Sequence, residues 1–421
     1  MEKYVSLAVF IGCYIGFIAR PAWRAYCACG GATLLLLLGI LTPHEAFQSI
    51  NWNVMGIFVG TLVVAELLMI SRMPAFLAGS LVSRARSTGE AMLILCVLAS
   101  FISAFMENVA TVLVVAPVAF AIARRLNVPP TLLLISIAVC SNLQGTATMI
   151  GDSPSIILAG YMGMGFDDFF FYHGKPSIFF AVEVGALASF LVLYFLFRKY
   201  NQAVEPVEIE KVVSWVPTWM LALLITCLAG ASLVIPGVRV AGIICITFGI
   251  FGIVWYEFAL DGEVRKFLKA LDWDTALFLP GVFVVVGGLT HTGWITHASH
   301  LLEGVCGENL LKTFLLVVWL SVILSAFVDN VPYLVATIPV VQYVGEDMGH
   351  SSIILLVFGL LVGSCLGGNI TPIGASANMV AVGLLHKSGT PVSFMEFVRV
   401  GLPFTVMAVS TASVFLWLVW A

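Results

Sequence analysis

Two acidic residues, each followed by an asparagine, carry the most visible chemistry in this sequence. Ser103–Val109 reads Ser-Ala-Phe-Met-Glu-Asn-Val, and Ser325–Val331 reads Ser-Ala-Phe-Val-Asp-Asn-Val about 220 residues later. Both acids, Glu107 and Asp329, interrupt long apolar stretches. Carboxylate and amide oxygens suit hard cations, so the pattern predicts two cation sites that are related by an internal duplication.

Two further polar segments repeat at nearly the same shift. Gly145–Ser153 is matched by Gly368–Ser376, and both combine glycine with Thr, Asn or Ser inside an apolar run. Such a segment breaks a helix and frees backbone carbonyls for an ion. The candidate ligands around the first break are Glu107, Asn108, Asn142, Thr146, Thr148, Asp152 and Ser153; those around the second are Asp329, Asn330, Asn369, Thr371, Ser376 and Asn378. Sodium is expected at Glu107, Asn108 and Asp152, and at Asp329, Asn330 and Asn378.

The composition predicts an integral membrane protein. Hydrophobic residues make up 61% of the chain and charged residues 10%, far from the soluble norm of roughly 45–50% and 25%. The net charge of -4 argues against a nucleic-acid partner. Away from the ends of the predicted spans and hairpins there is no Lys or Arg, whereas five acids lie there: Glu66, Glu107, Asp152, Glu183 and Asp329. Without basic partners these acids must be protonated or must bind a cation.

The elements that must position these residues form two halves. The first repeat, 1–197, holds spans 4–19, 25–41, 54–70 and 177–197, with a hairpin at 91–123 and a broken span at 131–163. The second repeat, 217–421, holds spans 218–235, 240–257, 276–291 and 397–420, with a hairpin at 311–344 and a broken span at 351–385. Two amphipathic segments, 72–88 and 258–271, are expected to lie along the membrane surface as helices. A polar stretch, 198–216, is expected as a cytoplasmic linker.

The distribution of Lys and Arg orients this arrangement. Most of them fall in segments that share one side if the N-terminus is external, which the positive-inside rule favours. Five full spans in each half then make the second repeat inverted relative to the first. The prediction is an all-α polytopic protein of the cytoplasmic membrane, with re-entrant hairpins, broken helices and both termini external.

Several residues keep a structural alternative. Glu107 and Asp329 could cap the second arms of their hairpins, and the Gly-rich breaks could be helix packing points. Glu66 and Glu183 suit a structural hydrogen bond as well as a transport role. His291, His297 and His300 suit an interface better than a metal site. No nucleophile motif is visible, so an enzyme is not expected, and no cofactor is expected beyond a coupling ion.

These motifs resemble the ion transporter superfamily. The residues that carry the resemblance are Glu107-Asn108-Val109 with Pro117, Gly145–Pro154, Asp329-Asn330-Val331-Pro332 with Pro339, Leu366–Asn378, and Ser393–Phe397. The branch of arsenite permeases, D-type sodium/proton antiporters and the melanosomal P protein, with its citrate-transporter-like domain, fits best.

The resemblance implies a secondary transporter, with a scaffold domain and a transport domain that moves like an elevator, in a homodimer. It implies an ion and substrate site at Glu107, Asn108, Asp329 and Asn330 and in the loops Gly145–Ser153 and Gly368–Asn378, which include Gly145, Gly151, Gly368 and Gly374. The hairpin tips depart from the Ser-Asn-Thr of the dicarboxylate branch, and Ala375 replaces Asp152 in the second loop.

We therefore expect ion-coupled transport of a small anion or arsenite by alternating access, with sodium or a proton as the coupling ion. A sodium/proton antiporter is the main alternative, and an ion channel is a further one.

Overall fold

The computed structural model describes residues 2–125, 129–203, 209–234, 240–307 and 309–421. It is almost entirely helical, apart from two short antiparallel strands, β1 (Phe171–Tyr172) and β2 (Lys175–Pro176). The helices of the first half are α1 (Glu2–Ala19), α2 (Arg24–Leu37), α3 (Pro43–Ser49), α4 (Trp52–Ile70), α5 (Met73–Val82), α6 (Thr88–Ser103), α7 (Asn108–Arg125), α8 (Pro130–Gly145), α9 (Ser153–Met162) and α10 (Ile178–Phe197).

The second half follows the same order. Its helices are α11 (Val216–Val234), α12 (Ala241–Leu260), α13 (Val264–Ala270), α14 (Trp273–His291), α15 (Trp294–Cys306), α16 (Leu310–Ser325), α17 (Asn330–Met348), α18 (His350–Gly367), α19 (Ser376–Lys387) and α20 (Phe394–Trp420). Part of the predicted linker, 204–208, lies outside the described residues.

Eight helices in the described ranges are long and apolar enough to cross a bilayer. They correspond to eight of the ten predicted spans. Of the other two, α2 has only 14 residues and ends at Leu37 rather than residue 41, and the first broken span is divided into α8 and α9. The chain is thus a multi-pass membrane protein.

Both predicted hairpins are present with their turns at the acidic tips. Helices α6 and α7 meet around Glu107, and helices α16 and α17 meet around Asp329. Both predicted breaks are present too, between α8 and α9 and between α18 and α19. Helix α15, with 13 residues, was not expected, because no element was predicted between the span 276–291 and the hairpin 311–344.

The helices pack in two groups. The frame group comprises α1, α2, α4, α11, α12 and α14, in which α2 lies on α14 and α4 on α12. The hairpin group comprises α6, α7, α8, α10, α16, α17, α18, α19 and α20. Close contact in the frame group depends on small residues, since a β-carbon at Gly60 of α4 would lie 2.2 Å from the carbonyl carbon of Cys245 in α12.

The same kind of side-chain N-cap begins α4 in the first half and α14 in the second half. The Asn51 side chain accepts a hydrogen bond from the Val54 backbone N–H at the start of α4, and Asp272 accepts one from Thr275 at the start of α14. Each satisfies a backbone donor that the first turn leaves free. The repeated Asn51-Trp52-Asn53 and Asp272-Trp273-Asp274 therefore mark equivalent helix ends.

Candidate functional site

The tip of the first hairpin holds Glu107 in two roles. Its Oε2 accepts hydrogen bonds from the backbone N–H groups of Val109 (3.0 Å) and Ala110 (3.2 Å), so the carboxylate caps α7. The structural alternative is thus present, but it does not account for the whole residue, because Glu107 also lines a polar cavity. A carboxylate held in this way keeps one oxygen available to a ligand.

Asn108 connects this tip to the first break. Its Nδ2 donates to Asp152 Oδ2 at 2.9 Å, and its Oδ1 accepts from Ser103 Oγ at 2.6 Å. Asp152 in turn caps α9 by accepting from the Ser153 backbone N–H at 2.8 Å. The predicted trio of Glu107, Asn108 and Asp152 is therefore assembled at one place.

Glycines allow this close approach. A β-carbon at Gly145 would lie 2.2 Å from Asn108 Oδ1, and one at Gly151 would lie 2.5 Å from the Gly145 carbonyl oxygen. Distances this short exclude any larger residue. The two predicted loop glycines therefore allow the first hairpin tip to pack closely against the first break. Because glycine has no side chain, they can offer a ligand only backbone atoms.

Threonines of both breaks hold the hairpins. Thr148 Oγ1 donates to the Ala104 carbonyl, and Thr371 Oγ1 donates to the Ala326 carbonyl. Thr146 Oγ1 donates to the Asn142 carbonyl at 3.2 Å. Because these hydroxyls donate hydrogen bonds to backbone carbonyls, the three predicted threonines stabilise the segments around the cavity.

Three asparagines join the two halves. Asn142 Nδ2 donates to Asn369 Oδ1 at 2.8 Å and to Asn378 Oδ1 at 2.9 Å. Asn378 Nδ2 donates to the carbonyls of Gly368 and Thr371, both at 2.9 Å. Asn142 reaches the cavity, whereas Asn369 and Asn378 lie behind it.

At the second tip, Asp329 has a basic partner. Its Oδ1 accepts from the Val331 backbone N–H at 3.0 Å, and its Oδ2 accepts from Arg24 Nη1 at 2.9 Å. Arg24 Nε also donates to Asp274 Oδ2 at 2.8 Å. The expectation that the acids lack basic partners is wrong for Asp329, because α2 begins at Arg24 and brings the guanidinium to the site.

Arg24 has two further polar neighbours. Its Nη2 donates to Thr275 Oγ1 at 2.6 Å, and its Nη1 lies 3.4 Å from Ser376 Oγ. Sequence reasoning missed Arg24, Asp272, Asp274 and Thr275 as site residues. The signal available was the change from Asn51 and Asn53 to two aspartates in the second copy, which adds two carboxylates at one helix start.

These groups surround a small cavity between the frame group and the hairpin group. The space open to the centres of water molecules is about 40 Å³. Four carboxylates and one guanidinium face it. Its lining comprises Arg24, Glu107, Asn108, Asn142, Asp152, Ser153, Asp272, Thr275, Asp329, Asn330, Val331, Ala375, Ser376 and Ala377.

The predicted residues thus separate into two sets. The lining set includes Glu107, Asn108, Asn142, Asp152, Ser153, Asp329, Asn330 and Ser376. The supporting set includes Gly145, Thr146, Thr148, Gly151, Gly368, Asn369, Thr371, Gly374 and Asn378. Gly374 belongs there because a β-carbon on it would lie 2.5 Å from the Gly368 carbonyl oxygen. Sodium at either predicted trio stays a prediction.

A family model and several relatives match this chain over most of its length. Residues 14–363 match the family model of the citrate transporters, CitMHS. An uncharacterized transporter of Mycobacterium tuberculosis is 31% identical, over 98% of both chains. The P protein of Mus musculus is 26% identical over 96% of this chain, which spans 58% of that relative.

Solved structures share the fold. The YdaH transporter of Alcanivorax borkumensis superposes with a TM-score of 0.60 at 15% identity, covering 91% of this chain and 87% of that one. MtrF of Neisseria gonorrhoeae, described as one of a class of antimetabolite efflux pumps, gives a TM-score of 0.60 at 12% identity, covering 91% and 83%. The family model and the relatives agree with the expected superfamily, and the solved structures agree with its helical fold.

Proposed function

The chain belongs to the citrate transporter family, and from this premise we propose that it is a cation-coupled secondary transporter. Sodium or a proton binds in the acidic cavity and enables the movement of a small anion or arsenite by alternating access. The observation that carries the proposal is the charge of the cavity, in which four carboxylates face one guanidinium.

This charge balance favours a cation over a free anion. Carboxylates removed from water are costly unless they are paired, protonated or bound to a cation. Within the described residues, Glu107, Asp152 and Asp272 have no salt bridge to a basic side chain. A multiply charged anion entering alone would be repelled, so an anionic cargo requires a co-bound cation or proton.

The size of the cavity supports a second candidate, a sodium/proton antiporter. One water centre needs roughly 10–15 Å³ of such space, so 40 Å³ holds a cation with a few waters but no tricarboxylate. In an antiporter the cation is itself the cargo, and no larger site is needed. The two candidates share the cation site and differ in whether a second solute moves with the cation.

The test uses the full-length protein in proteoliposomes with an imposed sodium or proton gradient. Internal pH reports antiport, while labelled arsenite, phosphate, dicarboxylates and citrate report anion movement. Glu107→Gln and Asp329→Asn remove one charge each and keep an oxygen for the helix cap. We expect both to lose coupled flux, and Glu263→Gln, at an exposed ion pair with Lys266, to keep it.

The results separate the alternatives. Ion-driven flux of one labelled anion supports the coupled transporter, and pH change without any anion supports the antiporter. Wild-type rates and cation dependence in both Glu107→Gln and Asp329→Asn would refute the proposed cation site.

A further inference from the structure

The ion pair between Arg24 and Asp329 joins the two helix groups. Arg24 begins α2 of the frame group, and Asp329 caps α17 of the hairpin group. The other strong partner of Arg24, Asp274, belongs to α14 of the frame group. Any movement of the second hairpin relative to α2 must therefore break one ion pair and leaves the other intact.

The same ion pair stands between two cavities. Arg24, Asp329 and Ser376 line the small acidic cavity, and they also line a larger vestibule of about 540 Å³. Apolar side chains such as Phe278 and Ile373 form much of the vestibule wall. A cation that passes from the vestibule to the acidic cavity meets the guanidinium and the Asp329 carboxylate on its way.

Arg24 can release Asp329 without becoming an unpaired charge. Its Nε stays bonded to Asp274 at 2.8 Å and its Nη2 to Thr275 at 2.6 Å. Breaking a buried pair is costly mainly when one charge is left uncompensated. Here Asp274 keeps the guanidinium neutralised, so only Asp329 needs a new partner when the pair opens.

The first half holds a different arrangement. Asn53 stands where the second half has Asp274, and its Oδ1 accepts from the Gly242 backbone N–H at 2.9 Å. Glu107, the equivalent of Asp329, lines a narrow space with Phe58, Thr61 and Leu62, which lie about one and a half to two and a half turns beyond Asn53 along α4. The two tips thus have different neighbours on the frame helices, and in the described residues the ion pair to a frame helix is at the second tip.

We propose that Arg24 is a built-in counter-ion that occupies Asp329 while the transported cation is absent, and that the cation displaces it. This inference rests on the proposed function and assigns Arg24 to its coupling. Cation binding at Asp329 neutralises the carboxylate, frees the second hairpin from α2 and opens the boundary between vestibule and cavity. Without a cation, the ion pair holds the two helix groups in the arrangement described above.

The test measures how tightly the driving cation binds when the competitor is removed. Wild-type flux first identifies sodium or the proton as the driver. The half-saturating concentration of that cation is then compared in wild type, Arg24→Gln and Arg24→Lys. Thermal unfolding of the purified protein, titrated with the same cation, gives a readout independent of transport.

We expect Arg24→Gln to lower the half-saturating concentration by about tenfold or more, because a charge-assisted hydrogen bond no longer competes. Arg24→Lys keeps the charge but cannot bond Asp274 and Asp329 together in the same way, so an intermediate value is expected. It also serves as the better-folded variant if Arg24→Gln is unstable. Arg72→Gln, at an exposed ion pair with Glu210, is the control and should match wild type.

If the proton is the driver, its competition with Arg24 is read from the pH dependence of flux. The charged or titratable groups around Arg24 and Asp329 are Asp272, Asp274, Glu107, Asp152, Tyr14 and Tyr333. The measured quantity is then the shift in the pH of half-maximal flux between wild type and Arg24→Gln, which is expected toward higher pH.

Two outcomes remain distinct. A wild-type protein that moves the cation, with half-saturation unchanged in the folded Arg24 variants, overturns the role of Arg24 and leaves the proposed function standing. A wild-type protein without any cation-dependent flux or stabilisation overturns both.

Discussion

Replacing Asn142 should weaken the protein more than the size of the side chain suggests. Asn142 is 3% exposed, and its Nδ2 supplies hydrogen bonds to Asn369 Oδ1 and Asn378 Oδ1, both on residues that are fully buried. Asn142→Ala removes both bonds and leaves two buried acceptors without those donors. Each orphaned acceptor costs about 1–3 kcal/mol, so the free energy of unfolding should fall by about 2–6 kcal/mol.

The chemistry of the donor can be separated from packing. Asn142→Asp has nearly the same shape but places an oxygen opposite two oxygens, so we expect it to be at least as destabilising as Asn142→Ala. Unfolding is titrated with sodium dodecyl sulfate and followed by tryptophan fluorescence. The exposed Asn201, changed to Ala, is the control and should behave as wild type.

Hydrogen bonds between membrane helices contribute less to the free energy of unfolding on average, about 0.6 kcal/mol each. That figure reflects sites where the unfolded reference finds other partners, whereas these three asparagines join α8 to the second break inside the protein. A loss below about 1 kcal/mol in both variants would contradict the reasoning that this network holds the two halves together.

Three further results follow from local contacts. Gly60→Ala should lower the unfolding temperature strongly, because its β-carbon would lie 2.2 Å from the backbone of Cys245, whereas Gly30→Ala meets nothing within 4 Å and should not. Glu183→Gln should keep the wild-type transport rate, since an amide oxygen can still accept from Gln144 Nε2 at 2.7 Å; Glu183→Leu should lose stability, and a lost rate in folded Glu183→Gln would assign Glu183 to transport instead. The hydrogen bond from the Thr42 backbone N–H, followed by that from its hydroxyl, lowers the pKa of Glu45 below 4.5. Protection of the α3 amides from hydrogen exchange should thus be full above pH 4.5 and fall as the pH drops through the lowered pKa. Thr42→Val removes the hydroxyl donor and keeps the backbone donor, so it should reduce this pH dependence without abolishing it.

The hairpins and breaks could be predicted because their signals are local. A charged or Gly-rich segment within an apolar run has few structural explanations in a membrane protein, and its repetition in the second half makes coincidence implausible. Glu107 and Asn108 are neighbours along the chain, as are Asp152 and Ser153. In the structure, the Asn108 side chain and the Ser153 backbone N–H both donate hydrogen bonds to Asp152. Their placement follows from two helix starts brought face to face.

Helix α15 and the end of α2 were harder to predict from the sequence. Helix α15 is amphipathic and short, and a search for apolar spans passes over such a segment. The apolar run after Leu37 continues to Leu41, but Gly39 with φ +69° turns the chain there. Glycine tolerates this conformation, and composition alone does not reveal it.

Arg24 could not be found from any local pattern, and it changes the electrostatic argument. It lies some 250 residues from Asp274 and some 305 from Asp329, yet bonds both. In the sequence it reads as one basic residue before a span. The premise that the acids lack basic partners therefore fails in the second half and holds in the described part of the first half for Glu107 and Asp152.

The unequal halves suggest how one cavity can both bind a cation and respond to it. Glu107 and Asp152 have no salt bridge to a basic side chain in the described residues, so a cation or proton need not displace one to bind there. Asp329 is compensated by Arg24 and becomes available when that ion pair opens. Two equal acidic tips would bind a cation equally in every arrangement of the helix groups, and binding would then favour no movement, since a ligand shifts an equilibrium only by its differential affinity. An arginine on one side supplies that difference.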